Sequence, residues 1–186
     1  MQIEVQRKLF TVEEYHRMGE TGILGPEDRV ELIEGEIVKM SPIGIRHVGC
    51  VNAATKLLTI ALGDRAVVSV QNPLQLSRIT EPQPDIIVMK PRADFYRSRR
   101  QEAGDSLLVI EVSDTSLQYD RKIKVPLYAR AEVPEVWIEN LEENVLLVYA
   151  ELVSGDYKTQ QTLPRSANVS PQSFPDVVIS VEQLLG

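Results

Sequence analysis

Two acids stand where an acid is costly. Glu111 interrupts the run SLLVIEVS (106–113), and Asp85 opens the run PDIIVMK (84–90). Both runs have the apolar, β-branched character of strands covered on both faces. Side chains alternate along a strand, so Leu107, Val109, Glu111 and Ser113 share one face, and Leu108, Ile110 and Val112 the other. An isolated carboxylate in such a setting needs a partner, a proton or a metal. Two of them on central strands can converge on one hard divalent cation, which takes oxygen ligands. Each acid also has a plainer reading: Asp85 as a turn cap beside Pro84, Glu111 as the partner of an arginine.

The remaining elements must position these strands. Thr11-Val12-Glu13-Glu14 is a capping box and predicts a helix over 12–19. Gly22, Gly25 and Pro26 break the chain after it. RVELIEGEIVKM (29–40) reads as two strands around a Glu34-Gly35 turn. The stretch 47–62 reads as a largely buried helix ending at Gly63. A strand over 66–76 meets Pro73, and a helix over 120–131 contains Pro126, which predicts a kink or a late start. Further strands are expected over 135–140, 145–151 and 157–163, with a turn at 142–144 and a short helix from Val181. This order predicts one α/β domain over residues 1–186, a mixed central sheet flanked by helices.

The chain has 186 residues, 43% of them hydrophobic and 25% charged, an ordinary composition for a globular core. No stretch approaches eighteen consecutive apolar residues, so no membrane-spanning helix is expected. MQIEVQRKLF lacks the apolar core of an export signal, and the one cysteine, Cys50, fits a reducing compartment; the expected location is cytoplasmic. Two histidines and one cysteine are too few for a typical structural zinc site. The net charge of −7 argues against a constitutive, tight nucleic-acid binder, but a centre that gathers Mg²⁺ needs several carboxylates.

Pro84-Asp85 followed by Glu111-Val112-Ser113 resembles the PD-(D/E)XK nuclease signature. The wider set is similar to the Uma-type family of restriction-endonuclease-like proteins. It comprises RVELIEGEIVKMSP (29–42) with His47, QNPLQL (71–76), QPDIIV (83–88), LLVIEVSD (107–114) and YDRKIKVPLYARAEVPEVWI (119–138). The resemblance runs from residue 11 to about residue 150. It implies a restriction-endonuclease-like fold and a metal-dependent endonuclease. Asp85 and Glu111 would hold Mg²⁺ or Mn²⁺, with the Val112 carbonyl as a further oxygen ligand. The signature lysine belongs two residues after the Glu, where this chain has Ser113. The Uma-type pattern moves it to the next helix, at Lys124, with Lys122 next in line. The plainer reading of Lys124 is a surface pair with Asp120. Glu31 is implied as an extra acid, against a solvated hairpin acid. His47 is matched to a phosphate contact or to a plain helix start, and Gln71 to a water beside the metal.

The substrate would be nucleic acid, with DNA preferred. Between Lys90 and Glu102 five basic residues face two acids, with Phe95 and Tyr96 among them. Arg97, Arg99 and Arg100 are the candidate phosphate contacts, on the expectation that a loop joining the two motif strands lies beside the site. A solvated surface loop is the alternative. Two other functions stay open: a non-catalytic interaction module on the same fold, and a phosphodiesterase for small substrates. VPEVWIEN and NVLLVYAEL suggest an apolar edge or Trp137 at a homodimer interface, or Trp137 in the core.

Overall fold

A computed structural model describes residues 6–186, so half of the stretch read for an export signal lies outside the described residues. Its centre is a six-stranded sheet in the order β3 (Val67–Val70), β4 (Ile86–Met89), β5 (Ser106–Ser113), β6 (Val136–Asn140), β7 (Val145–Val153), β8 (Asp156–Pro164). Every neighbouring pair is antiparallel except β5 and β6. Two parallel neighbours need a crossover. Here it is the helical run of α3 (Leu117–Tyr119), a π-helical turn (Asp120–Lys124) and α4 (Val125–Arg130).

Ahead of the sheet come α1 (Val12–Glu20), with the Thr11–Glu14 capping box formed, and the hairpin of β1 (Val30–Ile33) and β2 (Glu36–Lys39). Its turn residues have positive φ, 49° at Glu34 and 83° at Gly35, the mirror-image turn that the strand twist requires. A Cβ on Gly35 would stand 2.6 Å from the Leu9 Cβ. Gly35→Ala is therefore expected to cost about 1–3 kcal/mol, read as a lowered thermal midpoint.

Helix α2 (Ile45–Leu62) covers one face of the sheet, together with β9 (Asn168–Val169), β10 (Ile179–Ser180) and α5 (Val181–Leu185). Ala54, Leu58 and Leu62 meet Ile86, Val88, Ile110 and Trp137 there. On the other face Tyr128 and Ala129 of α4 meet Ile87, Met89, Val109 and Ile138. Each fully buried aliphatic side chain contributes about 1.5–3 kcal/mol, so the sheet is clamped hardest at β4, β5 and β6. Among the described residues no helix is long and apolar enough to cross a membrane.

Three local expectations change. The strand expected over 66–76 stops at Val70, because Gln71 turns to φ 49° and Pro73 has no N–H to donate. The helix expected from residue 120 begins at Leu117, and a π turn precedes Pro126, which sits in the first turn of α4. A bulge pairs Val88 with Leu108 but Met89 with Ser106. The extra residue flips Leu107, which packs with the α2 face rather than sharing the face of Glu111.

Candidate active site

The register that pairs Ile86 with Ile110 places Asp85 opposite Glu111, on the same face. One strand further out, Val70 pairs with Ile86, so Gln71 stands beside Asp85, and its backbone N–H donates to the Asp85 carbonyl at 2.9 Å. The sheet thus sets Gln71, Asp85 and Glu111 side by side at one end. Asp85 and Glu111 border a cavity of about 540 Å³ that Glu31, His47, Asp120 and Lys124 also line.

Asp85 is held on both oxygens. Oδ2 accepts the Val112 backbone N–H at 2.9 Å. Oδ1 accepts the Gln71 side-chain amide at 3.3 Å and lies 3.0 Å from His47 Nε2. Glu111 Oε1 accepts the Tyr128 hydroxyl at 2.5 Å and faces the Lys124 ammonium at 3.2 Å. That ammonium also lies 3.3 Å from Glu31 Oε2. Glu31 in turn accepts the Gln83 N–H at 3.1 Å and the Tyr119 hydroxyl at 3.0 Å. Asp120 accepts hydroxyls from Ser113 at 2.7 Å and Ser116 at 2.6 Å.

Glu31, Glu111, Asp120 and Lys124 are all buried. Burial pushes the Glu111 carboxyl up to about 8, and Asp120 and Asp85 add to this against the opposing pull of Lys124. Burial pulls the Lys124 ammonium down, but Glu111, Glu31, Asp120 and Asp85 together raise it above the ordinary lysine value. Lys124 therefore stays charged, and a charged ammonium orients and neutralises rather than accepting a proton.

Of the residues read from the sequence, Asp85, Glu111, Lys124, Glu31, His47 and Val112 meet at this cavity, and Gln71 stands behind it, bonded to Asp85. Lys124 does not form the surface pair with Asp120 that helical spacing allowed, since the two serines take Asp120. Lys122 is exposed. The arginines are elsewhere. Asp85 immediately precedes β4 and Glu111 lies near the end of β5, so the loop joining these antiparallel strands leaves from the opposite end of the sheet. There Arg99 is forked onto Asp105 and Arg100 approaches Glu13, while Arg97 is exposed; none of the three lines the cavity. Trp137 is fully buried and donates to Glu135 at 2.8 Å, which removes it as a surface for a second chain. Reading by motif missed Tyr119, Gln83, Asp120 and Tyr128. The last two carried a signal, since residues 120, 124 and 128 recur at the helical interval of four.

Residues 12–182 match the Uma2 family, described as "Putative restriction endonuclease". A crystal structure titled as a "putative nuclease belonging to DUF820" from Anabaena variabilis ATCC 29413 has a similar fold. The TM-score is 0.70 at 16% identity, over 95% of this chain and 97% of that one. No curated protein matches. With the family matched over nearly the whole of this chain, the chain belongs to the Uma2 family.

Proposed function

We propose that the chain works as one domain carrying a metal-dependent nuclease centre that hydrolyses phosphodiester bonds of DNA. The observation that carries the reading is the buried Lys124 ammonium, 3.2 Å from Glu111 and 3.3 Å from Glu31, on the strand end that holds Asp85. A surface ion pair has no need of that burial.

The donor set fits a hard divalent cation. Five carboxyl groups, Glu31, Asp85, Glu111, Asp114 and Asp120, share one cavity with one buried ammonium. Burial raises Glu111 to about 8, and the neighbouring charges of Asp120 and Asp85 add to it. Among the described residues no three acidic, histidine or cysteine side chains are arranged to hold an ion by themselves. Mg²⁺ needs only one or two carboxylates and keeps its waters, so Asp85, Glu111 and the Val112 carbonyl are the residues that would hold it. When bound, such an ion supplies positive charge to the phosphoryl oxygens and makes water a better nucleophile. The protein's own part is positional. Gln71 and His47 fix the Asp85 carboxylate, and Tyr128 fixes Glu111. Glu31, held by Tyr119 and Gln83, keeps Lys124 aimed at the cavity. There its charge offsets the charge that develops on phosphate.

The test is calorimetric titration of Mn²⁺ into the wild type and into Asp85→Ala/Glu111→Ala, with plasmid nicking on the same samples. Metal binding is expected to vanish in the double variant and nicking to fall about 10³-fold. Equal metal binding in both proteins without nicking would overturn the reading in favour of an interaction module. Turnover of a chromogenic phosphodiester but not of DNA would favour a small substrate.

A further inference from the structure

A nucleic-acid strand is longer than the linkage being cut, and its other phosphates need cations that an acidic centre does not offer. The arginine-rich loop cannot serve, because it lies at the far end of the sheet with Arg99 neutralised by Asp105. Two other places do carry cations. Arg29 and Lys39 line the cavity from the β1–β2 segment. Beside the cavity lies a second concavity of about 510 Å³, between the π-helical turn, α4 and β8, lined by Arg121, Lys122 and Lys158. Gln118 borders both, so the two concavities are neighbours.

The state of these cations matters more than their number. Arg92, Arg99, Arg100 and Arg130 each lie against an acid, Asp94, Asp105, Glu13 and Glu34. Arg121, Lys122 and Lys158 form no ion pair among the described residues, and they share their groove with a single acid, Asp156. In a chain with a net charge of −7, three unpaired cations in one concavity leave a local field of the opposite sign. The groove floor is firm: the Tyr157 hydroxyl is committed to the Val133 carbonyl at 2.7 Å, and Pro126 lies beside it.

Building on the nuclease reading, we infer that this groove is the track for the substrate strand. The backbone passes Arg29 and Lys39, crosses the cavity at Gln118 and continues over Arg121, Lys122 and Lys158. These side chains meet phosphates and not base edges, so the grip carries no sequence preference. The occupant is a polyanionic phosphodiester chain, and the contact strength falls with salt.

Fluorescence anisotropy with labelled DNA, single-stranded and duplex, in EDTA separates binding from cutting. Arg121→Ala/Lys122→Ala/Lys158→Ala is expected to bind about 10²-fold more weakly at low salt, with the slope of log affinity against log salt smaller by about 2–3. Arg97→Ala/Arg100→Ala should bind like the wild type. Circular dichroism checks that all variants are folded. A triple variant with wild-type affinity and slope overturns the groove, as does a wild type that binds neither DNA. If the loop variant suffers the loss instead, the track lies there. Nicking assays on the same proteins keep the two ideas apart. A wild type that binds through the groove and nicks nothing sinks the nuclease reading alone. A triple variant that binds and nicks like the wild type sinks the groove alone.

Discussion

Lys124→Met is expected to lower stability by about 3–5 kcal/mol at pH 7 and to remove the nicking activity proposed above. Methionine keeps most of the apolar stem, so little packing is lost. What disappears is the one ammonium between two buried carboxyls, 3.2 Å from Glu111 and 3.3 Å from Glu31. Removing one member of a buried pair leaves the other desolvated and uncompensated, which costs about 3–5 kcal/mol. In a chain of this size that is about 10 °C in thermal midpoint. The sign of the pH dependence follows from the carboxyls. An acid whose folded pKa is raised contributes stability below its unfolded value and loses it as pH rises. Without Lys124 the Glu111 carboxyl, already pushed up to about 8, is raised further. Through Glu111 the difference from wild type should therefore stay level up to about pH 8 and grow above it, where the wild-type carboxyl ionises and the variant's does not. Lys124 itself has a raised value, so its contribution is complete at neutral pH and fades only in strong alkali. Urea denaturation at pH 7, 8 and 9 reads the effect. Adding Glu111→Gln to Lys124→Met should restore part of the stability and none of the nicking, which separates the structural role from the catalytic one. Unchanged stability at pH 7 would show that Lys124 is not the counter-charge of this site.

Glu139→Met should have the opposite sign. Glu139 lies on β6 between Val112 and Leu146, fully buried, and neither carboxyl oxygen has a hydrogen-bond partner. Burial, and then the charge of Asp85, raise its pKa well above the ordinary value of 4.5. The group is thus held neutral in the folded protein and ionises freely in the unfolded chain. From its unfolded pKa upward the protein loses about 1.4 kcal/mol per pH unit through this one residue, until the folded pKa is reached. Methionine has no proton to hold and fills a similar volume. The expected gain is about 1 kcal/mol at pH 5 and grows with pH until the folded pKa is reached. Thermal midpoints of both proteins at pH 5, 6 and 7 decide it. A gain that does not change with pH would mean that Glu139 is not held neutral in the fold.

The strands β4 and β5, the capping box at Thr11, the Glu34-Gly35 turn and the helix ending at Gly63 were all legible in the sequence. They rest on local rules: alternation, capping and the few residues that tolerate positive φ. Asp85 and Glu111 were legible for a related reason, since a carboxylate inside an apolar strand stands out against its neighbours. Leu107 was misplaced because a single-residue bulge in the β4–β5 pairing reverses a face without leaving a mark in the composition.

The rest was decided by tertiary structure. Sequence alone determined that two acids sit on central strands of a mixed α/β sheet, because strand periodicity and burial are properties of a few adjacent residues. Whether Lys124 paired with Asp120 on a surface or with Glu111 and Glu31 in a cavity depended on how the helical run crosses from β5 to β6. The arginines of the 90–102 loop went to the far end of the sheet because an antiparallel pairing sends its connection away from the end where its acids meet. The basic groove exists only because β8, distant in sequence, brings Lys158 beside Arg121 and Lys122. Charges act through space, over distances that the order of residues along the chain does not record.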